Sequence, residues 1–433
     1  MNEAILLARL DALERDLRLL RELKRDWSGR FKNVRLAESL WLDLDETIGG
    51  AARAIAKNIP DIRAMNDPQA AWAAYAELCE KTQPLFRESF ELIGGLAFRD
   101  MDLDVRICSV ADELIQKCAL YTGVSPALTV PGYQETMSRT MGRIIRVRFP
   151  EWTIWTLPLT AYEYGKVVLE KEEDRFTKYR DEVARLPVLV GMAVENQSMA
   201  SVSDLVAEAF ATYVMGPAYV CSSIYLRLNP ALAYKGSGRS PSPDLRQRVS
   251  MAVLMRMNRE TDAQEGMRPY GDIIARLQET WRAMVASASP ARPEAPQVQD
   301  ADIESFVDIV WNTTFKAFYR AARYSHAEDG WKAALRWSGG WQQQLKENLR
   351  RNLEAESDSD EDRLIDVLNA AWHCRLYYPD RIDEIGDGAL SLCNDMVNRG
   401  LTDDRAPQPL AAPSTLRGSP KRNRVSDRDA RGS

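Results

Sequence analysis

The stretch W-T-L-P-L-T-A-Y-E-Y-G-K, from Trp155 to Lys166, decides how the middle of this chain is read. It predicts a helix that starts after Pro158 and runs through Val168. On such a helix Tyr162 and Lys166 stand one turn apart on one face, and Glu163 directly follows the first of them. Downstream, E-A-F-A-T (Glu208 to Thr212) opens the middle of a strongly apolar helical stretch, residues 203–226, and continues into Tyr213-Val214-Met215-Gly216-Pro217-Ala218-Tyr219.

Outward from this pair, the chain reads as helices nearly throughout. Leu6, Leu10, Leu13, Leu17 and Leu20 form a heptad seam on a helix over 3–26, and Ile5, Leu7, Leu19 and Leu23 widen that stripe, which favours packing into a bundle over an isolated coiled coil. A second helix, 36–58, carries Leu36, Leu40, Leu44, Ile48, Ala51 and Ile55 on one face. Asp61 to Pro68 reads as a connection, 69–93 as a helix with a break or kink at Pro84, and Gly94-Gly95 as punctuation. A helix over 103–121 bears Val105, Val110, Leu114 and Cys118. Tyr121 to Pro131 is irregular, Gln134 to Ile145 has helical spacing, and Arg143 to Phe149 reads either as a short strand or as the end of that helix. Helices are also expected at 183–195, 243–257 and 269–284. The Pro- and Ala-rich residues 287–301 read as a linker, with helices beyond it at 302–325, 328–353, 361–374 and 381–398.

The expected fold class is therefore mainly α and multi-helical, with little strand. The expected division is an N-terminal helical module (1–122), a central core (123–286), the linker (287–301), a C-terminal helical module (302–400) and a disordered tail (401–433). The tail turns basic from Arg417 onward, through Lys421, Arg422, Arg424, Arg428 and Arg431.

Composition narrows the function classes. Among 433 residues, 45% are hydrophobic and 28% charged, as in soluble globular proteins. A net charge of -6 offers no basic face for nucleic acid. No apolar run approaches the ~20 residues of a membrane span, and no signal peptide is visible. The six cysteines, Cys79, Cys108, Cys118, Cys221, Cys374 and Cys393, form no C-x-x-C pair and read as free thiols in a reducing compartment. The expected location is cytoplasmic.

The frame L-P-L-x-A-x-E-x-G, followed by E-x-x-A-x-x-x-x-G-P-A-Y, resembles bacterial zincin-like metallopeptidases of the gluzincin kind, over roughly residues 140–260. In that family two histidines four apart on a helix hold a zinc ion. The glutamate after the first acts as general base, and a glutamate on a second helix supplies the third ligand. The resemblance places Glu163 at the general-base position and Tyr162, Lys166 and Glu208 at the three ligand positions. Here the chain departs from the family. Protonated lysine cannot ligate zinc, a phenol does so rarely, and Thr212 replaces the aspartate that would orient the third ligand. The only two histidines, His326 and His373, lie beyond the linker. The expectation is a degenerate peptidase that binds no metal or cofactor, with the Lys166 ammonium facing Glu163 and Glu208 in the metal's place.

The residues also admit a plainer reading, two ordinary helices that match by accident. Elsewhere, His373 and Cys374 are adjacent on a helix and point apart, so they form no dyad, and His373 reads as a packing residue. Trp331, Trp337 and Trp341 read as core or a docking surface, and the acidic run Glu354 to Asp362 lacks the glycine and ligand order of a calcium loop. No phosphate-binding glycine loop is present. The expected function is a catalytically inactive pseudo-metallopeptidase that binds a protein or peptide partner, with a regulatory or defence role in bacteria. The alternatives are a metallopeptidase using Tyr162, Glu163 and Glu208 as ligands, or a helical scaffold forming homo-oligomers through the N-terminal heptad helix.

Overall fold

The computed structural model describes residues 2–28, 37–122, 124, 126–132, 136–137, 144–148, 153–171, 199–236, 240–265, 270–288, 298–312, 331–346 and 364–402. The expected helix at 183–195, His326, the acidic run from Glu354 to Asp362, most of the linker and nearly all of the tail lie outside them. The chain is mainly α. Helices α1 (Asn2–Ser28), α2 (Ala37–Arg63) and α3 (Pro68–Asp100) come first. α4 (Ile107–Thr122) then leads into three short strands, β1 (Leu128–Gly132), β2 (Thr136–Met137) and β3 (Ile144–Arg148). α5 (Thr160–Lys171), α6 (Met199–Met215) and α7 (Pro217–Ser222) follow, then a π-helical turn, Ser223–Arg227. The remainder is α8 (Pro243–Glu265), α9 (Gly271–Ser287), α10 (Asp300–Val310), α11 (Trp331–Lys346), α12 (Leu364–Tyr377) and α13 (Ile382–Thr402). No helix of the described residues is long and apolar enough to cross a membrane.

The small sheet, in the order β1-β3-β2, stands between two apolar cores. Successive strand residues face opposite sides. Accordingly Leu128, Val130 and Ile144 join the seam leucines of α1 and the buried faces of α2 and α3, whereas Ile145 and Val147 join the larger core. That larger core runs from Ile107 of α4 to Cys393 of α13. Buried side chains from both sides of residues 287–301 share it, including Val285, Ile303 and Phe306, and so does Val298 within that stretch. The buried residues of α4 belong to it as well.

Leu6, Leu10, Leu13, Leu17 and Leu20 are buried within the chain, but Ile5 and Leu19 are 48% and 55% exposed. Of the residues expected to widen the seam, Ile5 and Leu19 are therefore exposed, Leu7 is half-buried, and the side chain of Leu23 is outside the described set. The side chains of Leu36, Leu40, Leu44 and Ala51 are outside the described set, while Ile48, Ile55, Ile59 and Ile62 of α2 are buried.

Three further expectations are corrected. Gly94 and Gly95 do not end a helix: α3 passes through them and through Pro84. A Cβ on Gly95 would lie 2.9 Å from Val130 Cβ and 3.0 Å from the Pro131 carbonyl, so this glycine lets β1 cross α3 at close range. The described parts of the stretch Gln134 to Ile145, Thr136–Met137 and Ile144–Ile145, are strand where a helix is expected, and Ile144–Arg148 pairs in parallel with β1, resolving the ambiguity there. Val105 lies outside α4, 62% exposed and at φ 50°, in a left-handed turn with Asp102 and Arg106. Below that turn Arg99, Asp112 and Thr129 tie α3, α4 and β1 together. Arg99 pairs with Asp112 at 2.8 Å and donates to the Thr129 carbonyl, and Asp112 accepts from the Thr129 N–H at 2.7 Å.

Candidate functional site

α5 starts from a 3-10 turn at Leu157–Leu159, as its proline predicts, and the Thr160 hydroxyl donates to the Leu157 carbonyl at 2.7 Å. The Tyr164 hydroxyl, donating to the Val124 carbonyl at 2.8 Å, anchors this helix to the end of α4. Gly165 faces α6, where a Cβ would meet Phe210 Cδ1 at 3.0 Å and Ala207 Cα at 3.3 Å. The glycine of Y-E-Y-G-K therefore allows α5 to lie close against α6, and the two quoted motifs come together.

What they form is a buried tyrosine ring among cations. The Tyr162 side chain is buried. Arg227 Cζ lies 3.6 Å from its ring centroid, Lys166 Nζ 4.3 Å and Arg246 Cζ 5.1 Å. Glu208 is fully buried, and both of its oxygens are engaged. Oε1 accepts from Arg246 Nε at 2.6 Å and lies against Arg246 Nη2, with Arg227 Nη1 at 3.6 Å. Oε2 accepts from the Tyr219 hydroxyl at 2.5 Å and from Ser250 Oγ at 3.3 Å. Arg227 also donates to the Tyr219 hydroxyl at 3.0 Å. On the outer side Lys166 Nζ is 3.4 Å from Glu163 Oε1 and 3.7 Å from Asp204 Oδ1, and Asp204 accepts from Ser240 at 2.9 Å.

Lys166, Arg227 and Arg246 thus meet Glu163, Asp204 and Glu208, three charges of each sign. Burial raises the pKa of Tyr162 against the pull of Arg227 and Arg246, and burial together with the Glu208 charge raises that of Tyr219, so both phenols stay neutral. For Arg246, burial works against the charge, but the Glu208 carboxylate together with the Tyr162 and Tyr219 phenols more than offsets it, and the guanidinium is held protonated more firmly than usual.

The four residues singled out in the sequence therefore do lie in one cluster, though not in the expected pairing. Lys166 faces Glu163 and Asp204, and guanidinium groups face Glu208. Thr212 turns its hydroxyl back to the Glu208 carbonyl at 2.9 Å, a contact within its own helix. Arg227, Arg246, Ser250 and Asp204 escaped sequence reading, and Tyr219 entered it only as the last residue of the quoted frame. The one legible signal was an arginine closing the strongly apolar run at 203–226.

No protein-family model, curated protein or solved structure matches the chain. The metal of the resembled family must accordingly be judged on donors alone, and they do not fit it. Glu208 already spends its lone pairs on two guanidinium nitrogens, a phenol and a hydroxyl. Tyr162 is a neutral phenol under a guanidinium, and Lys166 adds a positive charge. Among the described residues no group of three His, Cys, Asp or Glu is placed to hold a metal ion.

The remaining candidates lie elsewhere. His373, on α12, has Nδ1 2.7 Å from Ser338 Oγ, which also accepts from Gln342 at 3.0 Å, and its ring packs 5.0 Å from that of Tyr377. Burial and the nearby Arg276 lower its pKa to about 4. Ser338 is fully buried in the middle of α11, inaccessible as a nucleophile. Cys374 is buried, and burial pushes its thiol up to about 12. Trp341 is buried, and the side chains of Trp331 and Trp337 are outside the described set.

Proposed function

We propose that this chain is a metallopeptidase-like frame in which arginines occupy the metal's place, and that it acts by binding a protein or peptide partner rather than by hydrolysis. The observation that carries this reading is the saturation of Glu208. A general-base mechanism needs an open ligand position and a water beside Glu163. In this cluster the position between Tyr162 and Glu208 is taken by Arg227 and Arg246. Such a charge-balanced network holds helices in register, the best-attested use of buried ion pairs. A partner-binding role is also favoured by the exposed apolar side chains at the end of α3 and in the turn after it, Phe98, Met101, Leu103 and Val105.

The test is elemental analysis of the purified protein for zinc, with a peptidase assay on unfolded protein substrates, each run beside Glu163→Ala. The expected result is substoichiometric metal and no cleavage by either protein. One zinc per chain, or cleavage that Glu163→Ala abolishes, would establish the enzymatic alternative instead.

A further inference from the structure

On the other side of the π-helical turn from Tyr162, Arg375 of α12 sits in an aromatic cage. Its Cζ is 4.6 Å from the ring centroid of Trp372, 4.7 Å from that of Trp155 and 5.9 Å from that of Tyr225. The indoles of Trp155 and Trp372 meet edge to face at 5.1 Å, and Tyr225 lies 5.8 Å from Trp372. Both tryptophans are buried whereas Tyr225 is 36% exposed, so the cage opens on the Tyr225 side.

Arginines elsewhere in the interior have acceptors. Arg99 has Asp112 and the Thr129 carbonyl, Arg227 has Tyr219, and Arg246 has Glu208. Arg375, half-buried on α12, differs: among the described residues no carboxylate pairs with it and no acceptor takes its N–H groups. Burial lowers its pKa, and only the Tyr225 phenol and the Cys221 thiol act in the opposite direction. Aromatic faces stabilise the charge of a guanidinium, but they leave its five donors in the guanidinium plane without acceptors. A second donor of the cage, Trp372 Nε1, is likewise buried with no acceptor among the described residues. The Tyr225 and Thr280 hydroxyls, 3.5 Å apart, stand at the rim.

We propose that the Arg375 cage is a recognition site for an oxyanion, a carboxylate or phosphoryl group, received by the free edge of the guanidinium on the Tyr225 side. The planar fork of a guanidinium matches both groups with two parallel hydrogen bonds, and the rings on either side hold it in one orientation. The π-helical turn is part of the construction. The Leu228 N–H reaches back five residues to the Ser223 carbonyl at 2.8 Å, and the widened turn presents Tyr225 to the cage and Arg227 to the Tyr162 ring. Turns of this kind recur at functional sites. The proposal does not depend on the reading of the Tyr162 cluster.

The experiment is calorimetric titration of the full chain with sodium phosphate and, separately, sodium acetate, each against sodium chloride at matched ionic strength. Saturable binding of at least one oxyanion beyond the chloride control is expected. Phosphate binding over acetate identifies a phosphoryl ligand, and the reverse a carboxylate. Arg375→Met should weaken the binding by roughly tenfold or more, since charge-assisted hydrogen bonds are lost. Should Arg375→Met fail to fold, Arg375→Lys decides. It keeps the charge in the cage and loses the fork, so a drop of about threefold or more supports the site. The proposal is overturned if neither anion binds the wild-type protein beyond chloride, or if binding is unchanged in the Arg375 variant that folds.

Discussion

Arg246 donates from Nε to Glu208 at 2.6 Å, and the carboxylate that receives this bond has no exposure to solvent. Burying two charges costs several kcal/mol each, and the attraction offsets this only when the remaining lone pairs are also satisfied. Tyr219 and Ser250 satisfy them. Removing the arginine leaves the buried anion its hydrogen bonds from Tyr219 and Ser250 and only the more distant Arg227, at 3.6 Å, as counter-charge. Arg246→Met should therefore destabilise the protein by about 3–5 kcal/mol, measured by urea denaturation, and Glu208→Gln in the same chain should recover part of the loss. Lys166→Met should cost about 1 kcal/mol or less, because the lysine side chain is 28% exposed and lies 3.4 Å from its nearest carboxylate oxygen. Equal losses for the two variants would contradict the assignment of Arg246 as the counter-ion of Glu208.

Gly165 and Gly339 are both helical glycines, and substitution by alanine should move stability in opposite directions. At Gly165 a Cβ would press on Phe210 at 3.0 Å and on the α6 backbone at 3.3 Å. Overpacking of this kind costs about 1–3 kcal/mol. At Gly339 nothing lies within 4 Å, so alanine should add about 0.5–1 kcal/mol through the smaller entropy of the unfolded chain. Thermal denaturation midpoints of the two variants report the sign directly.

His373 makes stability depend on pH. Its folded pKa of about 4 lies below the ordinary value of 6.5, because burial and Arg276 oppose its charge more than Asp272 supports it. Between those two values the unfolded chain takes up a proton that the folded chain declines. Stability therefore falls as pH drops from 6.5 and the loss levels off near 4, reaching on the order of 3 kcal/mol at most. In a His373→Gln variant the dependence of the urea midpoint on pH should be shallower over this window by about one proton. Identical slopes would show that His373 carries its proton in the folded state.

The turn between α3 and α4 holds Val105 at φ 50° although the residue is 62% exposed. A β-branched side chain is costly in the left-handed region, and no burial compensates for it there. Val105→Asn should raise the thermal midpoint, with a gain of about 1 kcal/mol. A lowered midpoint would mean that the exposed valine contributes packing that outweighs its backbone strain.

Local pattern accounts for what could be read in advance. The seam leucines of α1, the start of α5 after Pro158 and the helical character of nearly the whole chain follow from spacing, capping and proline chemistry within a turn or two. Where local preference was weak or competed with packing, spacing misled. Gly94-Gly95 looks like a helix end, but a neighbouring strand needed the room that Gly95 leaves. Ile144–Arg148 is strand because β1 and β2 provide its hydrogen bonds, and those partners are not visible in its own five residues.

The same division runs through the candidate site. The sequence by itself determined that Tyr162, Glu163 and Lys166 share a helix, that Glu208 lies on an apolar one, and that no histidine stands near either. Only the tertiary structure decided what these groups face. Arg227 and Arg246 reach Tyr162 and Glu208 from the π-helical turn and from α8, tens of residues away along the chain. A charge with no exposure must be paired by whatever the fold brings beside it, and helix spacing carries no information about that partner. Arg375 shows the converse. It is an ordinary arginine in an ordinary helix until the rings of Trp155 and Tyr225, from distant segments, join Trp372 of its own helix around it and leave its donors without acceptors among the described residues.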